Sequence, residues 1–393
     1  YGQIDAADLM PRPTTVSRNC LKMAESLRSE LLAIILPYFN HVRCSATTDM
    51  WTDDFKKIGY TAITIHYIND EWQLKSNVVS YFTQHPTRSI QLQKQKSTEN
   101  TDSGIQLQYL KPVDTLISAS KSLVKGMYEE LIKLYGHNHK RLKDINVDLL
   151  TKFIDFLIPF KEASTKIEGE KYSTINLVVL YCCKLIKHLE SIKHNTQTDE
   201  TSKTLKILAA RTLNAMESKF KLHRNHEIAL FLFPTYKSIK MMGESEKKRI
   251  IGNVKLELLT IQKSQPVRNE VNQVHPEVQA LSTSSYNNMF SEWENDFTQH
   301  NAMSSYENEL ESYIHSTDTF QTNENILDLW KARNNILPTM AKLAIRILAI
   351  PATSAASEWA FSVAGRVIEE RRSYLKAETI DALLFLQDYQ KEK

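Results

Sequence analysis

Val42-Arg43-Cys44-Ser45-Ala46-Thr47-Thr48-Asp49-Met50-Trp51 is the point at which the chain changes period, and its reading decides the fold. Just before it, residues 22–40 place Leu27, Leu31, Ile34, Ile35 and Tyr38 at helical spacing, which predicts a helix packed on one face. From Val42 the pattern is strand-like. It recurs in Tyr60 to Tyr67, where Thr, Ile and His alternate, and again in Trp72 to Phe82 after an Asn69-Asp70 turn. The expectation is a three-stranded antiparallel meander behind one helix.

Outward from that meander the composition shifts twice. Residues 83–109 fill with Gln, Lys, Ser, Thr and Asn, too little apolar surface to offset the entropy of ordering, and read as loop. Helical periodicity then holds almost throughout, predicting helices at 113–135, 146–167, 173–192, 201–221, 225–241 and 245–261. Residues 263–301 are again polar and irregular, and the helical period returns at 302–315 and from Asn325 to the end. No internal repeat is visible.

Whole-chain numbers agree with a mostly helical protein of two or three packed units. The 393 residues contain only 9 Gly and 11 Pro, too few for the tight turns of an all-β fold. Neither G-x-G-x-x-G nor G-x-x-x-x-G-K-[ST] occurs, which excludes dinucleotide and P-loop enzymes of those types. The longest unbroken apolar run, Leu177 to Cys183, is far short of a bilayer span. Cys20, Cys44, Cys182 and Cys183 form no C-x-x-C pair and read as reduced, buried thiols of an intracellular protein. A net charge of +3 permits a nucleic-acid partner without requiring one. The chain opens at Tyr1 with neither an initiator Met nor a signal pattern, so a further N-terminal part of the parent protein is expected.

Two passages carry candidate chemistry. In Thr47-Thr48-Asp49-Met50-Trp51-Thr52 an acid interrupts an apolar strand, where an unpaired anion costs several kcal/mol unless a partner or metal compensates it. The alternative is an Asp at a strand end capping a turn. In Ile350-Pro351-Ala352-Thr353-Ser354-Ala355-Ala356-Ser357-Glu358-Trp359, Pro351, Thr353 and Ser354 signal a helix start, Ser354 and Ser357 serve its packing, and Glu358 projects from its first turns. The alternative there is an exposed Glu favoured by the helix dipole. On a strand, Trp51 shares a face with Asp49 and is assigned to packing beside it.

The chain resembles the hAT superfamily of DNA transposases, the group of the hobo and Activator elements. The resemblance rests on Thr48-Asp49-Met50-Trp51-Thr52, Leu116-Ile117-Ser118-Ala119-Ser120-Lys121-Ser122-Leu123-Val124-Lys125, the Leu348 to Gly365 passage, and Arg371-Arg372-Ser373-Tyr374-Leu375 through to Leu386. It implies a predominantly helical α/β protein. A ribonuclease-H-like core (residues 1–112 and 302–393) would be interrupted by an all-α insertion domain (113–301), with a hAT-type dimerisation region at the C-terminus. In that family three acids bind two divalent cations, Mg2+ or Mn2+, for phosphodiester displacement. Asp49 matches the first acid and Glu358 the third, and their carboxylates are expected about 4 to 8 Å apart.

Three parts of the family pattern are missing. Thr101-Asp102-Ser103-Gly104 is the one string resembling the second-acid motif, without the preceding strand or a following Cys-x-x-His; the alternative is that Asp102 is a solvated loop residue. The basic Arg-Trp segment after Lys125 and a BED-type zinc finger are also lacking. DNA contact would then fall to Lys56 and Lys57, Arg371 and Arg372, and further to Lys140-Arg141 and Lys247-Lys248-Arg249, each of a kind that is more often a solvated helix face than a phosphate clamp. The stripe Ile380, Leu383, Leu384 and Phe385 is expected to lie beyond the reach of a three-stranded sheet and to meet a second copy of the chain; the alternatives are the chain's own insertion domain or ordinary core closure. The resemblance implies a nuclear transposase or transposase-derived protein, acting on transposon ends and target DNA as a homodimer or larger, with strand cleavage impaired in this chain. The competing expectation is a catalytically inactive, domesticated relative acting as a dimerising DNA-associated regulator.

Overall fold

The computed structural model describes residues 12–53, 58–84, 146–263, 305–317, 320, 324–355 and 375–391. Helix α1 (Pro13–Asn40) leads into strands β1 (Cys44–Asp53), β2 (Ile58–Ile68) and β3 (Leu74–Gln84), an antiparallel sheet in the order β1-β2-β3. Helices α2 (Val147–Ile167), α3 (Ile175–Lys193), α4 (Glu200–Lys219), α5 (Arg224–Phe231) and α6 (Glu244–Lys263) follow. Then come α7 (Ser305–His315), α8 (Ile326–Arg333), α9 (Pro338–Leu348) and α10 (Ala377–Lys391). The expected helix 113–135 lies outside the described residues.

Helix α1 touches the sheet through a narrow seam of Ala24, Leu27, Leu31, Ile35 and Tyr38. It begins well before residue 22 because Pro13 sits at its first positions, where a missing N–H costs nothing. It ends in a Schellman cap, with the Arg43 N–H donating to the Tyr38 carbonyl (2.8 Å) and the Val42 N–H to that of Phe39 (3.0 Å). That cap places Val42 at φ 53°, a left-handed conformation in which a β-branched side chain is strained by roughly 1–2 kcal/mol.

The β2–β3 hairpin carries a second such residue. Asp70 and Glu71 form the turn, the Gln73 N–H donates to Asn69 Oδ1 (2.7 Å), and Trp72 takes φ 65°, where glycine is usual. Tryptophan is held there because its ring is buried with Ile68 among α3, α5 and α9, so the hairpin tip anchors the sheet to the helical half.

Two cores build that helical half. Phe156, Leu157 and Phe160 of α2 meet Leu185 and Leu189 of α3 and Leu205, Ala209 and Leu213 of α4. A larger core centres on α5, which is buried from Glu227 to Phe231 and flanked by α3, α6, α7, α8 and α9. The Trp330 indole N–H donates to the Leu232 carbonyl (3.1 Å) and the Tyr313 hydroxyl to the Phe231 carbonyl (2.9 Å), satisfying the end of α5 from α8 and α7. Helix α5 stops at Phe231, well short of residue 241, because Pro234 follows and forces a 3-10 turn (Pro234–Tyr236). This larger core also takes in α7 to α9 beside α3, α5 and α6.

The C-terminal stripe corrects an expectation. Ile380, Leu384 and Phe385 are at most 2% exposed and lie within the chain's own core, while Leu383 is half-buried. Ile380 and Leu384 pack on Tyr60, Ala62, Val78 and Tyr81, and Phe385 packs on α1 and Tyr67. They reach the sheet because α10 runs along the outer edge of β3. Asp381 accepts the Tyr81 N–H (2.8 Å), Asp388 accepts the Val78 N–H (3.3 Å), and Arg28 donates both to the Val79 carbonyl (3.2 Å) and to Asp381 (2.6 Å). Seven residues apart on one helix, two carboxylates thus close an edge that would otherwise present unpaired backbone. Burial, with Asp388 and Asp381 close by, raises the Tyr81 phenol above its usual range.

Of the four cysteines only Cys182 is buried, its thiol pushed up to about 12 by desolvation, the largest cause, and by Cys183; Cys20, Cys44 and Cys183 are partly accessible.

Candidate functional site

Strand pairing sets Ser45 opposite His66, Thr47 opposite Thr64 and Asp49 opposite Ala62, so Ser45, Thr47 and Asp49 share one face of the sheet. Asp49 is half-buried there, beside the fully buried Ala62. It lies within β1, which continues to Asp53, and so is not a residue at a strand end. Trp51 stands two residues on, opposite Tyr60.

The same face carries a polar ladder across all three strands. Thr47 Oγ1 lies 2.8 Å from His66 Nε2, and His66 Nδ1 lies 2.8 Å from Ser76 Oγ. His66 is only 2% exposed, and burial lowers its pKa to about 4, so the ring is neutral and each nitrogen has a hydroxyl that can donate or accept. These bonds tie β1 to β2 and β2 to β3 below Asp49, which fixes the register that presents the carboxylate. The ladder was not among the residues expected to matter. Its signal was the alternation itself, which puts Thr47 and His66 on the face of Asp49.

The segment after α9 comes down on this face. The Ser45 hydroxyl donates to the Ala349 carbonyl (2.9 Å), and Ala349, Ile350, Pro351, Thr353 and Ala355 surround a small recess with His66, Ser76 and Thr174. The Ala352 N–H donates to Thr174 Oγ1 (2.9 Å), and the Ala355 N–H to Thr353 Oγ1 (3.2 Å).

Glu358, Asp102, Lys56, Lys57, Arg371 and Arg372 lie outside the described residues, as do Ser357 and Lys140-Arg141. Of the Lys247-Lys248-Arg249 group, Arg249 grips the buried Glu227 in a two-pronged bond (2.6 and 2.7 Å), and Lys247 pairs with Glu244 (2.6 Å). Two of those three cations are therefore engaged within the chain. Among the described residues no group of three or more His, Cys, Asp or Glu side chains could hold a metal ion. No helix among them is long and apolar enough to cross a membrane.

Residues 309–389 match the hAT family C-terminal dimerisation region. Zinc finger protein 618 of Homo sapiens is 26% identical over 272 residues, covering 69% of this chain and 26% of that protein. The hobo transposase of Drosophila melanogaster is 44% identical over 68 residues, 17% of this chain and 11% of its own length. A Zea mays protein named for the AC transposase is 28% identical over 249 residues, 58% of this chain and 29% of that one. The chain thus spans less than a third of the length of each of these three relatives. The dimerisation region and the similarity to hobo and AC mark the chain as transposase-like, of the hAT type.

Proposed function

We propose that the β1–β3 sheet and α10 belong to a ribonuclease-H-like core (1–112 and 302–393) interrupted by an all-helical insertion (113–301), and that Asp49 and Glu358 hold a divalent cation, Mg2+ or Mn2+, on it. The observation that supports this reading is the descent of residues 349–355 onto the face of Asp49, tied there by Ser45 and lined up beside His66, three residues before Glu358. A hard cation takes oxygen ligands, and a half-buried strand carboxylate among hydroxyl groups is a donor of that kind. When bound, such a cation polarises a phosphoryl oxygen and stabilises the leaving oxygen. The chain's own part is to hold β1 rigid through the Thr47–His66–Ser76 ladder and to keep Ala62 beside the carboxylate. DNA is the substrate, contacted by Lys56, Lys57, Arg371 and Arg372; the site of action is the nucleus, and the protein works as a homodimer or larger assembly.

Calorimetric titration with Mn2+ and nicking of supercoiled plasmid test this reading together. Asp49→Asn and Glu358→Gln are each expected to weaken Mn2+ binding by roughly tenfold or more. The unmodified chain is expected to bind Mn2+ yet nick DNA poorly, for want of a secure third ligand. Mn2+-dependent nicking that Asp102→Ala abolishes would make Asp102 the second acid. Unchanged Mn2+ binding in both variants would remove the site.

A further inference from the structure

Eight of the thirteen large apolar side chains that are exposed among the described residues lie on α1 or its cap, whereas the other five are scattered over five separate places. Leu32, Leu36 and Phe39 stand at i, i+4 and i+7, 58%, 58% and 64% exposed, and Val42 continues the line at 55%. This second seam is distinct from the Leu31, Ile35 and Tyr38 seam that meets the sheet. Val42 is the strained residue of the Schellman cap, and its side chain gains little from the chain's own core.

We propose that this face of α1 is where a second copy of the chain docks. The proposal rests on the reading that the chain self-associates, and names the surface. Two observations select the occupant. First, residues 31–42, Leu-Leu-Ala-Ile-Ile-Leu-Pro-Tyr-Phe-Asn-His-Val, contain no Asp, Glu, Lys or Arg, so the surface offers nothing to a phosphate backbone. It can meet an identical surface across a two-fold axis with no charge in conflict. Second, the region that matches the hAT dimerisation model ends in α10, which packs along α1 through Ala382 and Phe385. The apolar stripe of α10 is consumed by the sheet and by α1, so the apolar surface that this layer turns outward belongs to α1. Half-exposed Leu32, Leu36, Phe39 and Val42 offer on the order of 400 Å2 per copy, so two such faces supply most of the roughly 1,000 Å2 expected of a stable interface and the polar rim around them the rest.

Sedimentation equilibrium of the whole chain and of Leu36→Glu/Phe39→Glu tests this, with circular dichroism as the folding check and Ile336→Glu, at a 72% exposed apolar residue elsewhere, as the control. The expected result is a dimer at about 10 µM that the control preserves, with a dissociation constant raised about 100-fold in the double variant at unchanged helicity. A dimer that the double variant leaves intact would overturn the surface and keep self-association. A monomeric unmodified chain would overturn self-association itself. Loss of helicity in the double variant would show these side chains to be core, and would also overturn the proposal.

Discussion

Glu309→Ala is expected to lower the unfolding free energy by about 4 kcal/mol, because three charge-assisted bonds are lost and two of them leave a buried N–H without an acceptor. Glu309 is 7% exposed, and its carboxylate sits on the N-terminus of α9. It accepts the Thr339 N–H (2.7 Å), the Met340 N–H (2.9 Å) and the Thr339 hydroxyl (2.7 Å). No side chain of α9's own N-cap does this, since Leu337 occupies that position. The carboxylate also faces the positive end of the helix dipole. Because α9 delivers residues 349–355 to the face of Asp49, the same substitution loosens the candidate site. Glu309→Gln keeps an acceptor oxygen and is expected to cost about half as much. A guanidinium titration reads both, with the slope unchanged. A shift under 1 kcal/mol for the alanine variant would show that water replaces the carboxylate, on the scale of about 1 kcal/mol per ordinary hydrogen bond.

Acid is the second large effect. His66 and His226 both have their pKa lowered from 6.5 to about 4, in each case by burial first and, for His226, also by His223. The unfolded chain therefore binds more protons than the folded one between those values. Stability is full above pH 6.5 and falls as the pH drops through that window toward 4. At about 1.4 kcal/mol per pH unit, His66 alone removes about 3 kcal/mol across it. His226 removes less, because its ring keeps some contact with solvent. Its Nδ1 must be unprotonated to accept the His223 N–H (3.0 Å) in the capping box of α5, so protonation also frays that helix. Denaturation midpoints from pH 7 to pH 4 should fall steeply, and less steeply in His66→Gln. An identical slope in that variant would remove His66 from the account.

What could be read from the amino-acid order follows from the range of the forces involved. The meander was legible to within two residues at every strand end, because alternation is local and the face behind it is buried. The first nine residues of α1, Pro13 to Leu21, were not, since they carry no apolar stripe and the helix there is mostly exposed. The destination of Ile380, Leu384 and Phe385 could not be read either. It depends on Asp381 meeting Arg28 across 353 residues and on β3 having an edge to close, and periodicity reports only that a stripe needs a surface. Glu309 gave no local sign for the same reason, because its partners lie on a helix 30 residues away. Asp49 stood out because an acid inside an apolar strand is costly wherever the strand goes. Trp72 read as the first residue of the third strand and not as the left-handed residue of the turn before it, since a buried ring there outweighs the preference for glycine.

The account stands on Asp49 and Glu358 sharing a cation, and the measurement that bears on it most directly is the position of Mn2+ in crystals of the full chain, located by its anomalous scattering. The account predicts a peak about 2.1 Å from a carboxylate oxygen of Asp49 and of Glu358, on the sheet face that also carries Ser45 and Thr47. Glu358 on the opposite face of the sheet, or a Mn2+ peak bound without Asp49, would contradict it.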